Sequence, residues 1–295
     1  MQSLFIEAEG LTKKYKKFTL GPLHFNVEKG IVIGLVGANG SGKSTLFRLI
    51  MNLLKVDDGR ILMFGQNSTE NDWKQKIGYA GEMLDAYDFL NIIKMKKLIS
   101  RWYQAWDEEL FLNLVKRYKI DITQKYSKCS KGTKKKVEFI FALCHHPKLL
   151  LLDEPTGGVD LVSQRKMKED MIRFMEDGEK SIVIATHTVD EINQLCDEII
   201  VLDDGRVIHR YNKDEIYDQW ARVWVSSITN PIKQHPNVII YDTIPLQIVT
   251  DNLGKVEQIL EKEQISVKQV QRLAIEEVLE YLIEGNGRLG TKELD

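Results

Sequence analysis

Cysteine is scarce: the 295 residues hold three, Cys129, Cys144 and Cys196, with no CxxC pair and no metal-ligand spacing among them. A disulfide scaffold is excluded, and three reduced, packed thiols are expected. An excess of one charge is also missing, since 41 Lys+Arg stand against 43 Asp+Glu for a formal net charge of −2. A dedicated nucleic-acid binder usually carries a basic excess, so no nucleic-acid partner is expected. The basic runs Lys13-Lys14, Lys16-Lys17 and Lys134-Lys135-Lys136 read as solvated faces. No apolar run approaches the ~18–20 residues that span a bilayer. The longest, such as Ile31–Val36 and Leu149–Leu152, have strand length. Met1–Glu7 shows no basic region leading into an apolar one, so no signal peptide is expected. Together these absences predict a soluble chain, and neither an internal repeat nor a low-complexity tract is visible.

What is present is an ordinary globular composition, 43% hydrophobic and 28% charged. The length suits one large domain with a smaller companion, or two medium ones. Short strands are predicted over residues 1–30, then a buried strand at Ile31–Val36, a Gly-rich turn and a helix from Ser44 to Leu54. Asn91 to about Ile120 shows helical spacing without strands, and Val137–Cys144 continues as helix to His146-Pro147. Lys148–Leu152 and Ser181–Ala185 are further buried strands, and Asp203-Asp204-Gly205 marks a hairpin. Strands alternating with helices mean a mainly parallel sheet covered on both faces. After about Tyr211 the pattern changes to strand-like runs (Val223–Val225, Val238–Tyr241, Ile248–Val249) and two helices, Leu253–Glu263 and Ala274–Ile283. The tail from Gly285 to Asp295 is polar and reads as frayed.

Two motifs carry the chemistry. Gly37-Ala38-Asn39-Gly40-Ser41-Gly42-Lys43-Ser44, followed by Thr45, fits G-x-x-x-x-G-K-[ST] between a strand and a helix. Its glycines let the backbone curl so that successive N–H groups form an anion nest at a helix N-terminus. Lys43 is placed to neutralise β- and γ-phosphates and the Ser44 hydroxyl to ligate Mg²⁺. The second motif, Leu149–Glu154, is a buried strand that delivers two carboxylates at its C-terminal end, where open α/β sheets bind ligands. Asp153 suits Mg²⁺, and Glu154 is placed as a general base or to orient water.

The residues around them narrow the field. Ser127–Lys134 lies just before a helix, Glu154-Pro155-Thr156-Gly157-Gly158-Val159-Asp160 continues from the carboxylate strand, and Ala185-Thr186-His187 ends the next one. This order resembles the ATP-binding subunit of ABC transporters over about residues 4–210. The resemblance implies two subunits sandwiching two ATP molecules head to tail, each ATP facing one subunit's phosphate loop and the other's signature loop. Here that signature is Ser130-Lys131-Gly132-Thr133, where many members have Ser-Gly-Gly-Gln; Ser130 and Gly132 are kept, while Lys131 and Thr133 depart. His187 is implied at the γ-phosphate and attacking water. Tyr15 is implied as the aromatic that stacks on adenine, with Phe18 the alternative. Glu82 stands where a Mg²⁺-ligating Gln is normal. The helical stretch after it, about 83–146, is implied to grip a membrane partner, with Tyr87, Phe89, Trp102, Tyr103 and Trp106 divided between core and that contact.

The fold class expected is α/β: a P-loop NTPase core with a mainly parallel sheet, an antiparallel β subdomain and a helical insert, plus a small C-terminal α+β appendage. The expected domains are 1–211 for ATP binding and 212–295 for regulation or dimerisation. The resemblance implies an ATPase using ATP and Mg²⁺, as a homodimer or heterodimer, with a separate polytopic membrane subunit at the inner face of the cell membrane. Export of amphipathic or antimicrobial peptides is the substrate expectation, by analogy with subunits of similar signature and appendage. The alternatives are a non-transport ABC ATPase acting on ribosomes or nucleic acid, and a degenerate regulatory ATPase. A single phosphate loop weighs against the ribosome-acting class, and the short interval between Lys43 and Asp153 against the DNA-repair class.

Overall fold

A computed structural model describes residues 4–67 and 72–284. The chain divides into two compact units, Met1–His209 and Arg210–Asp295. In chain order the first unit opens with β1 (Leu4–Lys14), β2 (Thr19–Glu28), β3 (Val32–Val36), α1 (Lys43–Ile50), β4 (Asp58–Met63), β5 (Gln66–Asn67) and β6 (Ile77–Ala80). A helical stretch follows with α2 (Ile92–Ile99), α3 (Glu108–Arg117) and α4 (Lys131–Leu143). The chain returns to the sheet with β7 (Leu149–Asp153), α5 (Leu161–Met175), β8 (Ser181–Ala185), α6 (Val189–Leu195), β9 (Glu198–Asp203) and β10 (Arg206–Asn212).

The central sheet has the order β10-β9-β3-β8-β7-β6, with β6 to β7, β7 to β8, β8 to β3 and β3 to β9 all parallel. Helix-covered parallel strands are buried on both faces, so they are continuous apolar runs rather than alternating ones. Accordingly all of β3, Leu149–Leu152 of β7 and all of β8 are buried. A second, antiparallel sheet of order β2-β1-β4-β5 packs its buried positions into the same core: Ile6, Leu11, Leu20 and Met63 join Ile33, Leu149 and Leu151. The three cysteines are buried and form no disulfide.

Helix α1 stops at Ile50 rather than continuing to Leu54. Asn52 adopts a left-handed backbone (φ 52°), and the N–H groups of Leu53 and Leu54 turn back to the Arg48 carbonyl at 2.8 and 3.3 Å. That is a C-terminal cap, and Asn is one of the few residues that tolerates it.

The second unit carries α7 (Lys213–Gln219), β11 (Ala221–Val225), α8 (Asn230–Lys233), β12 (Val238–Thr243), β13 (Leu246–Thr250), α9 (Leu253–Lys262), β14 (Val267–Arg272) and α10 (Ile275–Glu284). Its antiparallel sheet has the order β12-β13-β11-β14 and its own core, built on Val223, Ile248, Val256 and Leu260. The expected tail at Gly285–Asp295 lies outside the described residues. No helix among the described residues is long and apolar enough to cross a membrane.

Candidate nucleotide site

The phosphate loop runs from the end of β3 into α1. Lys43 Nζ donates to the carbonyls of Gly37 and Ala38 at 2.7 and 3.1 Å, and Ser41 N–H donates to the Ala38 carbonyl at 3.1 Å. The loop is thereby wrapped around its own lysine. Gly42 precedes the helix at φ 112°, a left-handed conformation open to glycine, and no side chain caps the first turn. The uncapped N–H groups of α1 and its dipole face a cavity of about 250 Å³ lined by Phe18, Asn39, Gly40, Gly42, Lys43, Ser44, Thr45, Asp153 and Glu154. Ser41 Oγ is buried without a partner among the described residues. Burial lowers the Lys43 pKa, opposed by the carboxylates of Glu154 and Asp153. A positive group and a helix N-terminus facing one hollow make an anion cradle.

Asp153 and Glu154 close the other side. Burial raises the Asp153 pKa, opposed by a hydrogen bond from the Ser44 hydroxyl and by the Lys135 charge. Glu154 has a left-handed backbone, φ 49°, and its N–H donates to the Ala185 carbonyl at 2.9 Å. Such a backbone costs a non-glycine residue roughly 1–2 kcal/mol, and it persists where surroundings impose it. Its Oε1 lies 2.8 Å from His187 Nδ1. The His187 side chain is otherwise 74% exposed, so it projects from the end of β8 into open space.

Ser44, Glu82, Asp153, Glu154 and His187 line one further cavity of about 330 Å³, together with Arg48, Lys131 and Lys135. Among the described residues no group of three His, Cys, Asp or Glu is gathered as a metal cage. A hydroxyl and one or two carboxylates beside an anion cradle fit Mg²⁺ well, since that ion keeps water and takes its remaining ligands from substrate phosphates.

The signature residues form the start of α4. Ser130 is its N-cap, accepting the Thr133 N–H at 3.1 Å, and its hydroxyl also meets Thr133 Oγ1 at 2.9 Å. Gly132 packs against the chain just after Glu154: a Cβ there would sit 2.4 Å from the Gly158 carbonyl oxygen. Asp160 caps α5, accepting the Ser163 N–H at 2.9 Å.

Of the two adenine candidates, Phe18 lines the phosphate cavity. Tyr15 is on the adjoining turn, 45% exposed, its ring 6.4 Å from that of Phe18. The insert's aromatics divide: Phe89 and Trp102 are 65% and 74% exposed, whereas Tyr103 stacks on His145 and Trp106 packs on Phe111 and Phe141.

The basic run 134–136 is not a solvated face. Lys135 is buried and donates to the Asp153 carbonyl at 2.8 Å, Lys134 pairs with Asp85 at 2.7 Å, and Lys136 lies 3.5 Å from Asp160. Glu191, which no motif in the sequence marks, is a further buried group whose carboxylate accepts the Thr156 hydroxyl at 2.5 Å. The signal for Lys135 was there: Gly132, Lys135, Phe139 and Ala142 recur at helical spacing and all are buried.

A phosphate loop opening a helix after β3, with paired carboxylates at the end of β7 two strands away in a parallel sheet, defines a P-loop nucleotide hydrolase. The ABC transporter family matches residues 20–157. The ABC transporter ATP-binding protein YtrB of Bacillus subtilis (strain 168) is 31% identical over 212 residues, 72% of this chain and 73% of that protein. YhcH of the same organism, an uncharacterized ABC transporter ATP-binding protein, is 26% identical over 276 residues, 90% of each chain. A solved ATP-binding subunit of an ABC transporter superposes with a TM-score of 0.65 at 25% identity, covering 72% of this chain and 92% of that one. The chain belongs to the ATP-binding proteins of ABC transporters, and it is an ABC-type ATPase.

Proposed function

We propose that the chain hydrolyses ATP in a head-to-tail dimer and couples that cycle to a separate polytopic membrane subunit. The observation that carries the reading is the Glu154–His187 contact standing at the mouth of the cavity that Ser44 and Asp153 line. In this reading the Lys43 ammonium holds the β- and γ-phosphates, and Gly37, Asn39, Gly40, Ser41, Gly42 and Thr45 form the cradle. Tyr15, exposed on its turn, stacks on the adenine, with Phe18 at the sugar and phosphates. Ser44 and Asp153, with Glu82 at the edge, hold Mg²⁺, which neutralises phosphate charge when bound. Glu154 accepts a proton from the attacking water, and His187 orients Glu154 and meets the γ-phosphate.

A second subunit completes the site. Its Ser130 and Gly132, at the N-terminus of α4, face the γ-phosphate from the opposite side. The partner cassette is a second copy of this chain or a related one. Phe89 and Trp102, exposed on the helical insert, are the apolar contacts offered to the membrane subunit, which holds the protein at the inner face of the membrane. The cargo, by analogy of signature and appendage, is an amphipathic or antimicrobial peptide moving outward, and residues 212–295 serve dimerisation or regulation.

Glu154→Gln tests the core of this reading. It should bind ATP, fail to hydrolyse it and accumulate as an ATP-bound dimer on size analysis, because the amide keeps the shape and cannot take the proton. Unchanged turnover would remove Glu154 from the chemistry. Isolation of the wild-type chain from its native membrane should bring a polytopic membrane protein with it, and transport assays on that complex fix cargo and direction.

A further inference from the structure

Among the buried charged groups that the proposed chemistry does not use, Lys135 lies nearest the paired carboxylates, with its ammonium on the Asp153 main chain. Lys135, 6% exposed, lies on α4 below the signature loop, and its ammonium donates to the main-chain carbonyl of Asp153 at 2.8 Å. The same peptide unit ends in the N–H of Glu154, which donates to the Ala185 carbonyl at 2.9 Å. The Asp153–Glu154 peptide is thus held at both ends, by α4 on one side and β8 on the other. Rotation of that plane is coupled to the φ of Glu154, which is the strained, left-handed value of 49°. Release of either grip would let Glu154 relax to an ordinary backbone and swing its carboxylate away from His187.

Stability does not account for a lysine here. Its nearest carboxylate, Glu138 Oε2, is 3.8 Å away, and that oxygen has no hydrogen-bond partner among the described residues. Glu138 Oε1 accepts the hydroxyl of Tyr126, itself fully buried, at 3.0 Å. Burying an imperfectly paired ammonium and carboxylate costs desolvation that an uncharged pair of similar volume avoids. What the charged pair adds is a long, directed donor whose reach is fixed at its far end by Glu138 and Tyr126.

We propose that Lys135 is a positioning residue for hydrolysis, holding the Asp153–Glu154 peptide so that the Glu154 carboxylate stands where it takes the proton from water. The inference rests on the reading of Glu154 as the base. Because Lys135 shares its helix with Ser130 and Gly132, a shift of the signature helix reaches Glu154 through one side chain.

The test uses the full chain and the double variant Lys135→Met with Glu138→Gln, which removes the donor and leaves no buried charge unpaired. Expected are a fall in kcat of about tenfold or more, as for other misplaced catalytic groups, a KM within about twofold, unchanged equilibrium affinity for a non-hydrolysable ATP analogue, and a Tm at or above wild type. A merely structural role would lower kcat, affinity and Tm together, and that result, or wild-type kcat, overturns the proposal. Should the double variant melt early, Lys135→Arg decides: near wild-type kcat supports the proposal, and loss of kcat in a folded, ATP-binding protein overturns it. Glu154→Gln is measured alongside. If it turns over normally, the reading of Glu154 fails; if it is silent while the double variant is fully active, the role of Lys135 fails alone.

Discussion

His187 Nδ1 and Glu154 Oε1 stand 2.8 Å apart, and they come from neighbouring parallel strands, β8 and β7. The strand ends fix where each backbone leaves the sheet, and the contact fixes where the two side chains meet above it. Glu154 is gripped through its main chain, while His187 is held chiefly by this contact and is otherwise open to solvent. The imidazole is therefore the member of the pair free to follow a phosphate.

His187→Ala should lower kcat by about a hundredfold, the scale of a lost proton-transfer partner, with ATP affinity within a fewfold of wild type. Steady-state hydrolysis and equilibrium nucleotide binding check it. A loss confined to affinity would make His187 a phosphate ligand without a role in orienting Glu154.

Glu82 lines the cavity with Ser44 and Asp153 and is exposed at its edge. A carboxylate there strengthens Mg²⁺ binding and, without the ion, repels the phosphates. ATP affinity should therefore depend more steeply on Mg²⁺ in wild type than in Glu82→Gln. Titration of ATP with and without Mg²⁺ in both proteins measures it; equal dependence would place Glu82 outside the ion's ligands.

Asp160 is held at about 2, below the ordinary 3.8, chiefly by the hydrogen bonds from the Ser163 main chain and side chain. The folded chain thus keeps this carboxylate ionised to lower pH than the unfolded chain does. Its contribution to stability is complete above pH 3.8 and is lost as the pH falls from there towards 2. Asp160→Asn retains an N-cap at every pH. Thermal unfolding across that window should show wild type losing more stability than the variant.

A chain ending at residue 212, after β10, keeps every residue of the first unit's core and every phosphate-loop and carboxylate residue. It should unfold cooperatively and bind ATP within about twofold of the full chain, as separate hydrophobic cores allow. Loss of affinity in a folded protein of this length would assign residues beyond 212 a part in the nucleotide site.

The elements legible in the sequence were those whose residues answer to one demand. Ile31–Val36, Leu149–Leu152 and Ser181–Ala185 had to be apolar throughout, and the phosphate loop had to be small and basic, so their spelling is nearly forced. Strand β14, Val-Lys-Gln-Val-Gln-Arg, escaped because it is a sheet edge exposed along its whole length, where no face demands alternation. Lys135 escaped because a lysine among lysines reads as surface, although its helical spacing with Gly132, Phe139 and Ala142 puts it on the buried face that packs onto β6 and β7. The end of α1 turned on the backbone of one residue, Asn52, in a run that otherwise continues the helix pattern.

The contact between Gly132 and the Gly158 carbonyl sets which letters of the signature are free to vary. Position 131 projects into the cavity and position 133 answers the Ser130 cap, so each accepts a side chain of its own. At 132 even a methyl group meets main chain that carries the turn from Glu154 to Asp160. Side chains at 131 and 133 can therefore differ without touching that contact, while alanine at 132 would push α4 off that turn.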